Sequence, residues 1–356
     1  MGLNHPSDLT AWRAWQRQHQ PLLRRLRHAG TRAARPELVV IRRTDAPSFL
    51  IAMDSATPTS VSAFTTPLRR MLHCDAAIVA LSDVRPHLPE PDSWKLVPIG
   101  TDPRVPTCLR DVAAVFGIGH FLPASSVAFS WAERLGVPFV VAQHGLLTPF
   151  APPLPPSAHL LAFSDEDAAF WASGRTDVTH EVVGSQLLWD AAKRRPAGDD
   201  GEPANVTDAD AKPIFLGQLH GAELARGVSA KTASRFCART GASYRPHPVE
   251  IDKLSRAQHA VWKARGIDVD RSGSPLRDNR RPVVSIFSTG VLEAAAAGVD
   301  SWVTGVDVPE WVHDFWRRYD LSEWGSEPTP APRQPDVEPA TAIARSLDRL
   351  IEGGAR

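Results

Sequence analysis

Three short segments carry residues whose types and spacing suit chemistry. Gln143-His144-Gly145 directly follows the apolar run Val137–Ala142. An imidazole at the carboxyl end of a buried strand, with an ordinary pKa of about 6.5, suits a general base at neutral pH. Gly145 lets the backbone turn sharply or approach a ligand. The same position also fits a histidine that only hydrogen-bonds a neighbouring loop. The second segment is Arg245-Pro246-His247-Pro248-Val249-Glu250. Two prolines fix the chain in an extended shape around one histidine, which presents the imidazole without flexibility. Such a group can donate to a phosphate and, when protonated, offset its charge. The alternative is a proline-rich loop with an incidental histidine. The third is Ser288-Thr289-Gly290, between an apolar run and a helical stretch, with Glu293 one turn further on. Hydroxyls and free N–H groups at a helix start make an anion site, and Gly290 would let the anion come close. A plain Ser/Thr cap with Glu293 reaching back is the competing reading. Glu293 would instead accept from a ribose hydroxyl. Gln218 and His220, in Leu216-Gly217-Gln218-Leu219-His220-Gly221, join Gln143 and Gly145 as residues that would face a cleft.

The elements that must position these residues alternate. Runs at 38–41, 49–53, 76–81, 96–99, 112–118, 137–142, 159–163 and 180–183 read as strands. Helices fit 125–135 and 165–172, the second with acids in its first turn. A polar, Pro/Gly/Asp-rich stretch at 193–212 reads as a linker. Beyond it strands fit 213–216, 243–248, 283–287 and 301–304, and helices fit 229–240, 252–265, 289–297 and 309–319. In the last of these, Trp311 and Trp316 would line a cleft. A proline-rich spacer precedes a final helix around 337–352. Strand–helix–strand alternation is the signature of a parallel sheet covered by helices. The expected architecture is α/β: a basic segment 1–35, a Rossmann-like domain 36–192, the linker, a second Rossmann-like domain 213–327, and the spacer and helix 328–356. The two sheets would face a cleft, with ligands at the carboxyl ends of the strands.

Composition narrows the function classes. The chain has 356 residues, enough for about two domains at roughly 150 residues each. It carries 40 Lys/Arg against 40 Asp/Glu, which argues against a nucleic-acid binder. Three cysteines without metal-type spacing exclude a disulfide framework. Asp165-Glu166-Asp167 and Asp268-Val269-Asp270 read as a helix start and a solvated loop, so no metal site is expected. No apolar run is long enough to span a membrane, and the amino-terminal region lacks the apolar stretch of a secretory signal, which predicts a cytoplasmic protein. Gly117-Ile118-Gly119-His120 lacks the third glycine of a dinucleotide fingerprint, and neither a phosphate-binding P-loop nor a Gly-x-Ser-x-Gly elbow is present. The charge is unevenly spread. Residues 1–43 hold nine Lys/Arg and two acids, a net of +7, whereas 196–356 hold 20 basic and 23 acidic residues, a net of −3. Ser7 or Asp8 would cap a helix with Trp12, Trp15, His19, Leu22, Leu23 and Leu26 on one side, which Pro21 kinks or divides. That basic segment either packs on the first domain or lies on an anionic membrane surface.

The order of the three motifs resembles glycosyltransferases of the two-Rossmann-domain (GT-B) type. The closest resemblance is to bacterial enzymes that assemble capsule, teichoic-acid and sialic-acid polymers. Val140-Val141-Ala142-Gln143-His144-Gly145 is similar to the His-Gly motif of CDP-glycerol glycerophosphotransferases. Arg245-Pro246-His247-Pro248 and Phe287-Ser288-Thr289-Gly290 resemble the His-Pro and Ser motifs that those enzymes share with bacterial sialyltransferases, including polysialyltransferase-like ones. The stretch His159–Gly184 resembles the strand–helix–strand leading out of their first domain. The resemblance covers roughly residues 110–305. It implies a metal-independent transferase without a resident cofactor. By that resemblance His144 would be the general base or an acceptor-side catalytic group, His247, Arg245, Ser288, Thr289 and Gly290 would hold donor phosphate, and Glu250 and Glu293 would be candidates for the nucleotide ribose or base. The donor would be a nucleotide-sugar or CDP-polyol, and the acceptor a cell-surface glycan or a lipid-linked molecule. A nucleotide-sugar 2-epimerase and a catalytically silent protein of the same fold are the rival readings.

Overall fold

The computed structural model describes residues 2–19, 37–55, 58–72, 75–101, 104–197, 204–208 and 210–354. The chain divides into two compact units, the first formed by residues 1–186 and 335–356, the second by 187–334. In chain order the strands are β1 (Leu38–Arg42), β2 (Phe49–Met53), β3 (Ala76–Ala80), β4 (Lys95–Gly100), β5 (Ala114–Gly117), β6 (Phe139–Ala142), β7 (His159–Ala162), β8 (Thr179–Val182), β9 (Ile214–Leu216), β10 (Ser243–Arg245), β11 (Val283–Ser285) and β12 (Ser301–Val303). The helices are α1 (Leu9–His19), α2 (Pro58–Leu68), α3 (Pro123–Leu135), α4 (Asp165–Ala172), α5 (Gln186–Lys193), α6 (Arg226–Thr240), α7 (Lys253–Ala264), α8 (Thr289–Ala296), α9 (Glu310–Arg318) and α10 (Pro339–Gly354).

The α/β class expected from the alternation is the class observed. The first unit holds one eight-stranded sheet in the order β4-β1-β3-β2-β5-β6-β7-β8. From β3 to β8 every pairing is parallel. β1 runs against both of its neighbours, β3 and β4, where an all-parallel sheet was expected. The reason is chain length. Only residues 43–48 separate β1 from β2, and a parallel return needs a crossover of about a dozen residues or more. β2 and β3 show why the sheet is a core. Leu50, Ala52, Ala77 and Val79 face one cluster, and Phe49, Ile51, Met53, Ala76, Ile78 and Ala80 the other, all of them buried. Alternate side chains leave opposite faces, so a strand buried on both must be apolar throughout.

The first cluster packs on Ala124, Ala128 and Trp131 of α3 and on Ala168, Phe170 and Trp171 of α4. The second packs on Ile343, Ala344 and Leu347 of α10. The carboxyl-terminal helix thus belongs to the first unit's core rather than to an appendage after a spacer. Gln186 ties it down by accepting from Ala340 N–H at 2.8 Å. Two helices, α2 and α5, were not read from the sequence. α2 carries Pro67 inside it, and α5 begins at the division between the units.

α1 settles part of the reading of the basic segment. Asp8 caps it, accepting from Ala11 N–H at 2.8 Å. Trp12 is buried and its indole donates to Phe150 O at 2.8 Å. Trp15 stacks on Phe150 at 4.7 Å and 10°. The aromatic face that the sequence offers to a membrane is therefore spent on the protein itself. Leu22, Leu23, Leu26 and Pro21 lie outside the described residues. No helix among the described residues is long and apolar enough to cross a membrane.

The second unit holds a four-stranded parallel sheet in the order β10-β9-β11-β12. Chain order reverses across β9 and β11, so their carboxyl ends flank the crevice in which such sheets bind ligands. Trp316, read from sequence as a cleft residue, is instead core. It is buried, and its indole donates to Ile286 O at 2.6 Å.

Leu347→Ala tests the place of α10. Removing a side chain buried to 1% should cost about 2–5 kcal/mol of the first unit's stability, read by urea unfolding. A loss below about 0.5 kcal/mol, the size of an ordinary surface substitution, would place α10 outside the cooperative core.

Candidate functional site

In the second unit the segments 217–221, 246–250 and 288–290 follow the carboxyl ends of β9, β10 and β11. After β9 the chain passes close to its neighbour. Gly217 N–H donates to Arg245 O at 2.7 Å, and a Cβ at 217 would sit 2.3 Å from the Tyr244 hydroxyl. Only glycine fits there. Gln218, half-buried, uses its side-chain oxygen to accept from Phe287 N–H and from the Ser285 hydroxyl, both at 3.1 Å. It is a strut between the ends of β9 and β11 rather than a residue offered to a ligand.

Glu250 is likewise internal. Its side chain has 0% exposure. The carboxylate accepts from Leu219 N–H at 3.0 Å, the Tyr244 hydroxyl at 2.9 Å and His259 Nε2 at 3.1 Å. His220 Nδ1 stands 3.8 Å away, an ion-pair distance too long for a hydrogen bond. These neighbours surround both oxygens, so the ribose or base role read from the sequence does not fit this placement. Desolvation raises the Glu250 carboxyl, but the surrounding donors outweigh it and hold it below the ordinary range. It is therefore ionised at neutral pH. The chain of donors continues outward. Arg271 donates to His259 Nδ1 at 3.3 Å, which leaves the His259 proton on Nε2, pointed at Glu250. Burial lowers the His259 pKa and keeps the ring neutral. Burial also raises the Tyr244 hydroxyl, so that it stays a donor.

This frame holds two histidines at the surface. His220 stacks on His247 with ring centroids 3.9 Å apart and 27° between planes. His247 is exposed, and its Nδ1 accepts from Val249 N–H at 3.3 Å. That bond puts the proton of the neutral ring on Nε2, free to donate. Desolvation, with the neighbouring His220, pushes His247 down to about 4. At neutral pH it is a neutral donor until an anion arrives.

α8 begins beside this pair's strand. Ser288 caps it, accepting from Gly290 N–H at 3.1 Å. Gly290 is required for a different reason from the expected one. A Cβ there would lie 2.5 Å from Leu216 Cδ1 and 3.1 Å from Leu276 Cδ2, so the glycine lets α8 seat on the sheet. Glu293 is half-buried and does not reach back to the cap. Burial raises its carboxyl, against the opposing pull of Arg194, Arg245 and Arg277. Arg245 itself donates to Ser274 O. Thr289 is half-buried on the first turn of α8.

The first unit places the remaining residues. Gln143 is buried, with its side-chain oxygen accepting from Phe163 N–H at 2.8 Å and its amide donating to Asp167 at 2.7 Å and to Gly145 O at 3.0 Å. It too is a strut, and it fixes the turn through Gly145. His144, next to it, is exposed. Desolvation of its imidazole lowers its pKa from 6.5. Asp165-Glu166-Asp167 is a helix start as expected, with Ser164 accepting from Asp167 N–H at 3.1 Å. Asp54, missed by sequence reading, accepts from Ala124 N–H at 2.6 Å and Ser125 N–H at 3.0 Å. A carboxylate from β2's end thus fills the helix start where a dinucleotide fold presents N–H groups to pyrophosphate. Tyr244, His259 and Arg271 were also missed. Their roles depend on a buried partner that no local pattern marks.

No group of three or more His, Cys, Asp or Glu suited to a metal ion occurs among the described residues. No family model matches the chain, and no curated protein matches it. Among solved structures, the UDP-GlcNAc 2-epimerase of Methanocaldococcus jannaschii, in complex with UDP-GlcNAc and UDP, is similar at TM-score 0.46 and 12% identity, covering 85% of this chain and 99% of that one. A glycosyltransferase from Rickettsia africae ESF-5 is similar at TM-score 0.46 and 11% identity, covering 87% of this chain and 94% of that one. Likeness at that level carries no functional inference.

Glu250→Gln tests the frame. The amide keeps the shape but replaces one acceptor oxygen with a donor facing other donors, which should cost about 1–3 kcal/mol in urea unfolding. The wild-type carboxyl lies below its ordinary 4.5, so the stability it contributes is present at neutral pH and lost as pH falls through the folded-state value. The variant should lack that acid-side loss. Equal stability of the two proteins at neutral pH would show that the carboxylate holds nothing.

Proposed function

We propose that the protein is a transferase that moves a sugar or polyol phosphate from a nucleotide-activated donor to a glycan or lipid-linked acceptor. The second unit binds the donor phosphate. The observation that carries this reading is His247, a rigidly framed imidazole whose Nε2–H is left free. It shares the carboxyl edge of the sheet with Arg245 and with the Ser288-capped start of α8. A leaving phosphate develops negative charge, and prearranged donors that need no reorganisation are the largest single source of stabilisation for such a step. Ser288, Thr289 and the first N–H groups of α8 add a helix N-terminus to that set. Glu293 accepts from a ribose hydroxyl. Gln218, Gln143 and Glu250 hold these groups in place. His144, in the first unit, takes the acceptor's proton. The stabilising charges come from side chains and helix N–H groups, so the step runs without a metal ion. Charged groups of the donor bind locally, which suits a unit whose formal net charge is zero.

His247→Ala and Ser288→Ala should each lower donor turnover at least about a hundredfold, with unchanged circular dichroism. The assay follows nucleotide release from a panel of nucleotide-sugars and CDP-polyols, with and without EDTA. Interconversion of the donor without transfer would identify an epimerase. Nucleotide binding without release would identify a silent relative, and full turnover in both variants would remove the reading.

The second test is a pH profile. A general base works only when deprotonated, and the His144 pKa is lowered from 6.5. Activity should therefore hold at pH 6.5 and fall only at more acidic pH. His144→Gln should remove the acid limb along with most of the activity. An acid limb that persists unchanged in the variant would assign the base elsewhere.

A further inference from the structure

The outer face of α7 and the loop leading into it carry the largest run of exposed apolar side chains in the second unit. Val249 is 53% exposed, Ile251 76%, Leu254 48% and Val261 44%. At 100° per residue, Leu254, Ala257, Val261 and Ala264 form one stripe, and all four are exposed. The inward face is the opposite one, with Ser255, His259 and Trp262 buried. The stripe is bracketed by cations. Lys253 and Arg265 flank it, and Arg256 and Lys263 lie along one side, all exposed. The acids of the same stretch are both spent. Glu250 is buried in its network, and Asp252 caps α7 by accepting from Leu254 N–H and Ser255 N–H, each at 3.0 Å.

We infer that this surface docks the protein on an anionic phospholipid bilayer. A helix with an apolar stripe and Lys/Arg at its borders lies in the headgroup layer, with the apolar side chains inserted and the cations reaching lipid phosphates. Charge complementarity selects the partner: four cations face outward, and the only acid not buried on the stretch is a capping aspartate. The sequence suggested membrane contact through residues 1–35, but α1 has spent its tryptophans on the first unit. The contact thus moves to α7, which the sequence showed only as a helix. The loop 246–252 joins this surface to His247, so docking holds the candidate phosphate site at the membrane face. The inference is independent of the transferase reading, because it concerns binding alone.

The test is co-flotation of the full chain with vesicles of equal parts phosphatidylglycerol and phosphatidylcholine, and with phosphatidylcholine alone. The wild type should float with the anionic vesicles only, and release in high salt. Ile251→Asp with Leu254→Asp, and separately Lys253→Glu with Lys263→Glu, should each lower the bound fraction about tenfold or more. Both variants change exposed side chains, and an unchanged thermal midpoint confirms that they are folded. Absence of wild-type binding to the anionic vesicles, or wild-type binding by both variants, would overturn the inference. So would self-association in light scattering without lipid that Ile251→Asp with Leu254→Asp abolishes, since the face would then be a protein interface.

Discussion

A carboxylate with no exposed side-chain surface is the constraint around which the second unit's sheet edge is built. Removing an ion such as Glu250 from water costs several kcal/mol. Hydrogen bonds to a charged group return about 1.5–3 kcal/mol each, so Leu219 N–H, the Tyr244 hydroxyl and His259 together match that cost. Each donor comes from a different element. Leu219 lies on the loop after β9, Tyr244 in β10 and His259 in α7. Satisfying one carboxylate therefore fixes the loops that carry His220 and His247. Losing any donor would leave the charge underpaired, and the geometry is correspondingly tight.

The two units share a second device. In each, a glutamine just after a strand accepts from the backbone N–H of a phenylalanine after the next strand of the sheet, and the serine following that phenylalanine caps a helix. The sets are Gln143, Phe163 and Ser164 in one unit, and Gln218, Phe287 and Ser288 in the other. The backbone N–H at a strand's end has lost its ladder partner and must be satisfied. A glutamine from the neighbouring strand does this while locking two adjacent strand ends together. The sequence shows no repeat at this spacing. The order Gln, Phe, Ser is shared, but glutamine and phenylalanine are 20 residues apart in one unit and 69 in the other.

The zero net charge also divides by structure rather than by sequence. Of the amino-terminal cations, Arg13 and Arg17 sit on α1, whose tryptophans pack against the first unit, whereas α7, without any unusual local composition, leaves its apolar stripe exposed among cations. Helical spacing shows that a face is apolar. It does not show whether another element covers it.

The strands and most helices were legible because burial on both faces demands continuous apolar runs, as in β2 and β6, and because helices announce themselves through Ser164, Asp252, Gly136 and Gly241 at their ends. The position of His144, His247 and Ser288 at strand ends followed from the same local rules. The direction of β1 followed from the short connection to β2, though alternation alone suggested otherwise. The roles of Gln143, Gln218, Glu250 and Gly290 did not follow. Whether a residue meets a ligand or an internal partner depends on groups distant in the chain, such as Leu219 for Glu250 and Leu216 for Gly290. The sequence by itself determined which chemistry is present at the sheet edges. Only the tertiary structure decided which groups are free to perform it, because desolvation penalises a buried polar atom that lacks a partner.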